Sequence, residues 1–191
     1  IGARLHRLAP DEWDTVKREV LAIESQAYED GRRDSEEELR NMLQGEGGIA
    51  LVLRRRTDHG DRVLGYAFGG PVEMYQADGP REDPMRGLGN TFYSANITVA
   101  SNERGAGLGL RLKRAQVRLV SSLKNEDGSQ KYLFMTGRNR IGHTRQMAGI
   151  NRAFGAYPVE HFRGNQYGDR SGEALYYRVP LRRPHITTGL P

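Results

Sequence analysis

Apolar residues recur along the chain at two spacings, every second position in some stretches and every third or fourth in others. These spacings divide it into strands and helices. Arg4 to Leu8 alternates polar with apolar side chains and reads as a short strand. Pro10 and Asp11 then open a helix, with Asp11 as N-cap, Glu12 in the first turn, and Trp13, Val16, Val20, Ile23 and Ala27 on one apolar face. Gly31 to Asp34 breaks it, and Ser35-Glu36-Glu37-Glu38 has the pattern of a capping box. The second helix, opened by that box, carries Leu39, Met42 and Leu43 on its apolar side.

Ile49 to Leu53 and Val63 to Gly69 read as two strands joined by the turn-rich Thr57 to Asp61. The Pro- and Gly-rich stretch from Gln76 to Asn90 is long for a connection. Phe92 to Ala100 is the next strand, and Leu108 to Leu123 a helix with Leu108, Leu112, Ala115, Leu119 and Leu123 on one face. Lys131 to Thr136 reads as a strand and Thr144 to Phe154 as a helix ended by Gly155. Val159 to Phe162 and Ala174 to Val179 form a closing hairpin around the loop from Arg163 to Gly172. One domain is expected over residues 1–181, with an extended C-terminal tail over 182–191.

Composition narrows the class. Hydrophobic content of 37% and a mean hydropathy of −0.71 describe a polar-surfaced globule. No run approaches the roughly 18 apolar residues of a membrane span, so no membrane partner is expected. Cysteine is absent, which excludes disulfides, thiolate metal sites and a cysteine nucleophile, and fits a cytoplasmic protein. The net charge of +5 suits either a solvated basic surface or attraction to an anionic ligand. Its arginines are scattered and match no nucleic-acid motif, so a nucleic acid is not the expected partner. The first residue, Ile1, is compatible with a part of a larger polypeptide, and a homodimer is equally open.

The stretch Arg104-Gly105-Ala106-Gly107-Leu108-Gly109 lies between a strand and a strongly helical segment. Glycines at alternate positions strip side chains from a helix N-terminus, where unpaired N–H groups and the helix dipole suit a phosphate or pyrophosphate. The same sequence can also serve as a turn without a ligand. Leu110-Arg111 supplies no Gly-Lys-Ser/Thr, so it is not a Walker loop, and the spacing and mid-chain position fit a dinucleotide fingerprint badly.

With its flanks, Val99 to Gly109 resembles the signature of the GNAT N-acyltransferase superfamily: a strand ending in Val, a short turn, then Arg/Gln-x-x-Gly-x-Gly/Ala opening a helix. Gly65-Tyr66-Ala67 matches a frequent strand pattern of that family, and Met147, Ile150, Asn151, Phe154 and Gly155 resemble the fourth-helix pattern of one branch. The resemblance implies an α/β, GNAT-like fold: a central mixed, twisted sheet of about six to seven strands flanked by about four helices, with a splayed strand pair forming the CoA cleft. It implies acetyl-CoA or another acyl-CoA as donor, an amine as acceptor, and no metal.

By the same resemblance the pyrophosphate sits over the amides of Arg104, Gly105, Ala106, Gly107, Leu108, Gly109 and Leu110. Backbone groups of Ile97 and Val99 pair with pantetheine, Asn139 and Asn151 are further contacts to it, and the Val99 amide is the oxyanion donor. Arg111, Lys113, Arg114 and Arg118 are either contacts to the 3′-phosphate or a solvated helix face. Many members carry an acidic tyrosine where this chain has Asn151, which can hydrogen-bond but is no acid near neutral pH; Tyr157 and Tyr167 are the substitutes near in sequence. Glu73 is the leading candidate for the general base and Glu24 the alternative. The acceptor is expected among Glu24, Tyr28, Arg32, Arg33, Asp34, Glu73, Tyr75 and Tyr93. His143 and His161 have no partners spaced as metal ligands. The competing reading is a catalytically silent GNAT-like domain that binds CoA or a partner.

Overall fold

The computed structural model describes residues 2–141, 145–163 and 172–181. Within them the chain runs β1 (Arg4–Leu8), α1 (Trp13–Ala27), α2 (Glu36–Gln44), β2 (Ile49–Thr57), β3 (Gly60–Pro71), β4 (Thr91–Val99), α3 (Leu108–Ser122), β5 (Phe134–Arg140), α4 (Arg145–Ala153), β6 (Tyr157–Phe162) and β7 (Ala174–Pro180). The strands form one seven-stranded sheet in the order β1-β2-β3-β4-β5-β7-β6. Every neighbouring pair is antiparallel except β4 and β5. The expected tail, His143 and Tyr167 lie outside the described residues.

Both faces of the central strands are covered, so their apolar residues run almost unbroken rather than alternating with polar ones. Ala50, Val52, Tyr66 and Phe68 turn to one face, where Trp13, Val16, Val20 and Ile23 of α1 and Leu39 and Leu43 of α2 pack on them. Leu51, Leu53, Leu64 and Ala67 turn to the other, against Leu112 and Val120 of α3 and Met135, Tyr177 and Val179 of the C-terminal strands.

The parallel pair is short. β4 and β5 pair only from Thr91 to Tyr93 with Phe134 to Thr136. Just beyond, the β3 register passes from Gly69↔Ser94 to Phe68↔Asn96, leaving Ala95 as an extra residue in β4. A bulge bends the strand that carries it, and here β4 keeps its partner β3 while β5 continues with β7. The two strands part, and a cleft opens between them.

Several local expectations shift. Asp11 is not the cap of α1: Pro10 to Glu12 forms a 3-10 turn, and the Glu12 carboxylate accepts from the Ala9 amide at 2.8 Å and meets His6 at 2.9 Å. β2 and β3 run on to Thr57 and Gly60, because the polar residues between them pair in register and leave only Asp58 and His59 to turn. β5 starts at Phe134 rather than Lys131. The stretch before β4 is fixed by two arginines. Arg86 donates to the carbonyls of Val72, Glu73, Tyr75 and Pro80. Arg178 and the Tyr176 hydroxyl both donate to the buried Asp83, at 2.5 and 2.6 Å.

The buried stripe of α3 is Leu112, Lys113, Gln116 and Val120, with Leu108, Ala115, Leu119 and Leu123 only half-covered. Lys113 is therefore neither a surface cation nor a phosphate contact. It is 0% exposed, its Nζ lies 3.3 Å from Met135 Sδ and 5.5 Å from the centre of the Tyr177 ring, and burial pushes its ammonium down to about 7. Between pH 7 and the 10.5 of a free lysine, the unfolded chain holds a proton that the folded chain has released. Stability from this residue therefore rises with pH through that window and is lowest at and below pH 7. Lys113→Met is expected to raise the thermal midpoint at pH 7 by roughly 5 °C and to flatten its rise with pH. Melting curves of both proteins from pH 7 to 9 check this, and parallel pH dependences would contradict it.

Candidate active site

Two cavities meet at the cleft. The larger, about 760 Å³, is lined by Val99 at the end of β4, by Arg104, Gly105, Gly107, Leu108, Gly109 and Leu110 of the glycine turn, and by Arg145, Met147 and Ile150 of α4. The smaller, about 460 Å³, is lined by Glu24, Tyr28, Arg33, Asp34, Tyr93, Asn96, Asn139 and Tyr177 among others. Tyr28, Ile97 and Met147 wall both, so they are two ends of one groove.

The glycine-turn end is built by backbone. Gly107 precedes α3 in the left-handed conformation (φ 74°) and Gly105 is likewise at φ 85°, so both positions call for glycine. The first amides of α3 have no intrahelical acceptor and no side-chain cap. Together with the helix dipole they suit an anion, and the cavity lies against them. Glu103 holds the turn in place through a two-pronged ion pair with Arg55 of β2, both contacts 3.0 Å. Arg104 is exposed, with its Nε 3.4 Å from the Val99 carbonyl. Ala106 lies in the same turn and does not line the cavity. A Cβ at Gly109 would meet only Ile150 and Val99, at 3.9 and 4.0 Å, which is ordinary contact.

The edge of β4 is also open toward the groove. The Ala100 amide bonds to the Leu64 carbonyl of β3 at 2.9 Å, and successive amides of a strand point to opposite sides. The Ile97 and Val99 amides therefore point away from β3, toward the cleft.

The other end holds the titratable groups. Glu24 is 2% exposed; its Oε1 lies 3.4 Å from the Asp34 amide, and its carboxyl lies beside the Tyr66 hydroxyl, outside strict hydrogen-bond geometry. Burial, with the neighbouring Asp34 charge adding to it, pushes its carboxyl up to about 7. Asp34 is also raised by burial, and accepts from Asn96 Nδ2 at 2.8 Å. Tyr28 bonds to Thr98 Oγ1 at 3.0 Å, and burial raises its phenol. Arg33 lines the cavity but is committed to Asp30 at 2.6 Å and to the Tyr28 and Ser25 carbonyls.

Two expected residues are elsewhere. Glu73 lines neither cavity: its Oε1 accepts from the Gly87 and Gly89 amides at 2.9 and 3.3 Å, which ties down the loop before β4. A carboxylate so engaged does not serve this groove, and the buried carboxylate that does face it is Glu24. Tyr75 packs behind Tyr93, ring centres 4.6 Å apart, and does not reach the cavity. Asn151 is buried beside the Tyr177 hydroxyl, outside strict hydrogen-bond geometry, and its amide atoms have no partner among the described residues. Tyr157 is exposed on β6, and His161 pairs with Glu173 at 3.1 Å away from the groove.

From the sequence Glu24 is the alternative base rather than the leading one, although its place beside Ile23 and four residues after Val20 on the apolar stripe of α1 is a signal of burial. Tyr177 was not singled out at all, and only its cross-strand partner reveals it. Among the described residues no group of His, Asp, Glu or Cys is arranged to hold a metal, and no helix is long and apolar enough to cross a membrane.

No protein-family model matches the sequence, and no curated protein sequence matches it. Solved structures do match the fold. NAA60 from Arabidopsis thaliana, in complex with a bisubstrate analogue, superposes with a TM-score of 0.69 at 12% identity, covering 95% of this chain and 100% of that one. The ribosomal-protein-S18-alanine N-acetyltransferase from Escherichia coli gives 0.66 at 13% identity, over 99% and 100%. Ard1 from Thermoplasma volcanium gives 0.64 at 14%, over 96% and 100%. The chain has the GNAT fold, with the splayed parallel pair at its centre.

Since a Cβ at position 109 makes only ordinary contacts and the residue lines the larger cavity, a larger side chain there is expected to enter that cavity. Gly109→Leu is expected to leave the melting temperature within a few degrees of wild type and to weaken acetyl-CoA binding at least about tenfold, or 1.4 kcal/mol. Calorimetric titration with acetyl-CoA checks this; unchanged affinity would remove the donor from this turn.

Proposed function

We propose that the protein is an N-acetyltransferase that moves the acetyl group of acetyl-CoA to a primary amine, of a small molecule or a lysine side chain, by direct attack in a ternary complex. The observation that carries this reading is the pairing, in one groove, of an uncapped glycine-turn helix with a buried carboxylate, Glu24, poised near neutrality. The named activities of structural neighbours, an alanine N-acetyltransferase of a ribosomal protein among them, support it.

On this reading the steps run from the donor turn to the acceptor. CoA pyrophosphate lies on the amides of Gly105 to Leu110, and pantetheine runs along the open edge of β4 past Ile97 and Val99, adding hydrogen bonds as a further strand would. Asn139, on the facing strand, lines the same passage. The ammonium of the acceptor enters between Tyr28, Tyr93 and Glu24 and gives a proton to the Glu24 carboxylate. A carboxyl poised near 7 is suited to that transfer at neutral pH. The free amine attacks the thioester carbonyl, and the Val99 amide donates to the developing oxyanion. No side-chain nucleophile is needed.

The second reading is a silent CoA-binding domain, favoured by Asn151 standing where many of these enzymes place a tyrosine. Turnover separates the two. Thiol release from acetyl-CoA is expected with at least one class in a panel of amines, amino acids, lysine peptides and peptide N-termini. Glu24→Gln is expected to lower kcat/KM by about 100-fold or more. In wild type the rate rises as Glu24 loses its proton through about pH 7; in the variant that rise is expected to vanish. An unchanged pH profile in Glu24→Gln would remove Glu24 as the base, and acetyl-CoA binding without turnover on any amine would favour the silent domain.

A further inference from the structure

An amine that displaces CoA leaves an electron pair on sulfur. A thiol of ordinary acidity (pKa about 8.5) departs more readily if a proton reaches that sulfur as the bond breaks. Glu24 cannot supply it, since it takes the proton of the amine and approaches from the α1 face of the sheet. A donor is needed on the opposite face, at the point where the strands part.

Resting on the N-acetyltransferase reading, we infer that Tyr177 of β7 is that donor. β4 and β5 last pair at Tyr93↔Thr136, so the next residue of β5, Gly137, stands where the cleft opens. Gly137 is the register partner of Tyr177. A Cβ on Gly137 would collide with the Tyr177 hydroxyl oxygen and lie 2.6 Å from Cζ, so the ring lies across the strand there because this residue is glycine. The phenol therefore ends at the opening, on the α3 side of the sheet where Tyr177 joins the core with Leu112 and Met135, and it lines the acceptor cavity. Beside it Asn151 brings a buried amide with no partner among the described residues. Phenol and amide together form a polar spot against the apolar cluster of Leu112 and Met135, suited to a sulfur that gains charge.

Tyr177 is 5% exposed, and burial raises its phenol, so it carries its proton at neutral pH. Of the other tyrosines that line this cavity, Tyr28 has its hydroxyl on Thr98, and Tyr93 packs in the aromatic cluster with Tyr75 and Tyr176. In the step, the amine nitrogen bonds to the acetyl carbon, the carbon–sulfur bond breaks with its electron pair passing to sulfur, and the Tyr177 proton moves to that sulfur. The attacking nitrogen still carries two protons and sheds one as it becomes the amide; that proton restores the Tyr177 phenolate, Glu24 releases to solvent the proton it took from the ammonium, and the products are the amide and CoA thiol. One proton is released per turnover.

The test is Tyr177→Phe, assayed with acetyl-CoA and with S-phenyl thioacetate, whose thiophenolate leaves without a proton. The variant is expected to melt as wild type does, to bind acetyl-CoA with unchanged affinity by calorimetry, and to lose about 100-fold in kcat with acetyl-CoA. With the aryl thioester it is expected to match wild type. Gly137→Ala, which displaces the hydroxyl but keeps the phenol, is expected to show the same donor-dependent loss. Equal loss with both donors, or none with acetyl-CoA, overturns the assignment of Tyr177 while leaving the N-acetyltransferase reading standing. Wild-type protein that releases no thiol with any amine overturns that reading instead, and Tyr177's role with it.

Discussion

The whole groove depends on a hydrogen-bond ladder that stops early. β4 and β5 share three residue pairs, and the extra residue Ala95 then bends β4 off its course. A sheet interior normally leaves no backbone group unpaired. Here the edge of β4 from Ile97 to Val99 is left open inside the molecule, where a ligand with amide groups of its own can complete the ladder. Everything else in the site is arranged about that opening: α3 starts just beyond the end of β4, α1 closes one face and α4 stands over the other.

The fold accommodates two buried ionisable groups near this opening, and their costs differ in kind. Glu24 sits in a cavity wall with the Asp34 amide within reach, so its burial tunes a proton affinity. Lys113 lies fully under α3 with a thioether and an aromatic face for company. An ammonium gains little from such partners. By contrast, the charges of the long loop before β4 are engaged: the buried Asp83 has three donors, Arg178, the Tyr176 hydroxyl and the Met85 amide, and the half-buried Arg86 has four carbonyls. That difference is why the loop, although glycine- and proline-rich, is an ordered wall of the aromatic cluster around Tyr75, Tyr93 and Tyr176.

Much of this was legible in the sequence, for reasons that differ by element. The order of strands and helices came from periodicity, and the donor turn from glycines whose conformation is local: Gly105 and Gly107 do adopt positive φ. The Ser35 capping box was readable because it closes within four residues. What could not be read depends on partners distant in the chain. Glu73 and Glu24 are alike as letters; one is consumed by amides of Gly87 and Gly89, the other is left facing a cavity. Lys113 looked like one more cation in a basic helix because the buried stripe of α3 is set by how deeply the helix seats on the sheet, not by its strongest apolar repeat. Tyr177 acquires meaning only from Gly137, about forty residues earlier, across a pairing that no local pattern specifies.

Gly109 has a consequence of another sort. The left-handed glycines of the turn are demanded by the backbone, but position 109 is ordinary helix with room beside it. Folding alone would favour alanine there, by about 0.5–1 kcal/mol. Glycine at 109 therefore leaves free space at the first turn of α3, on the wall of the larger cavity, that a side chain would fill. The turn thus has two kinds of glycine, those whose backbone conformation calls for glycine and one whose effect is the volume it leaves empty.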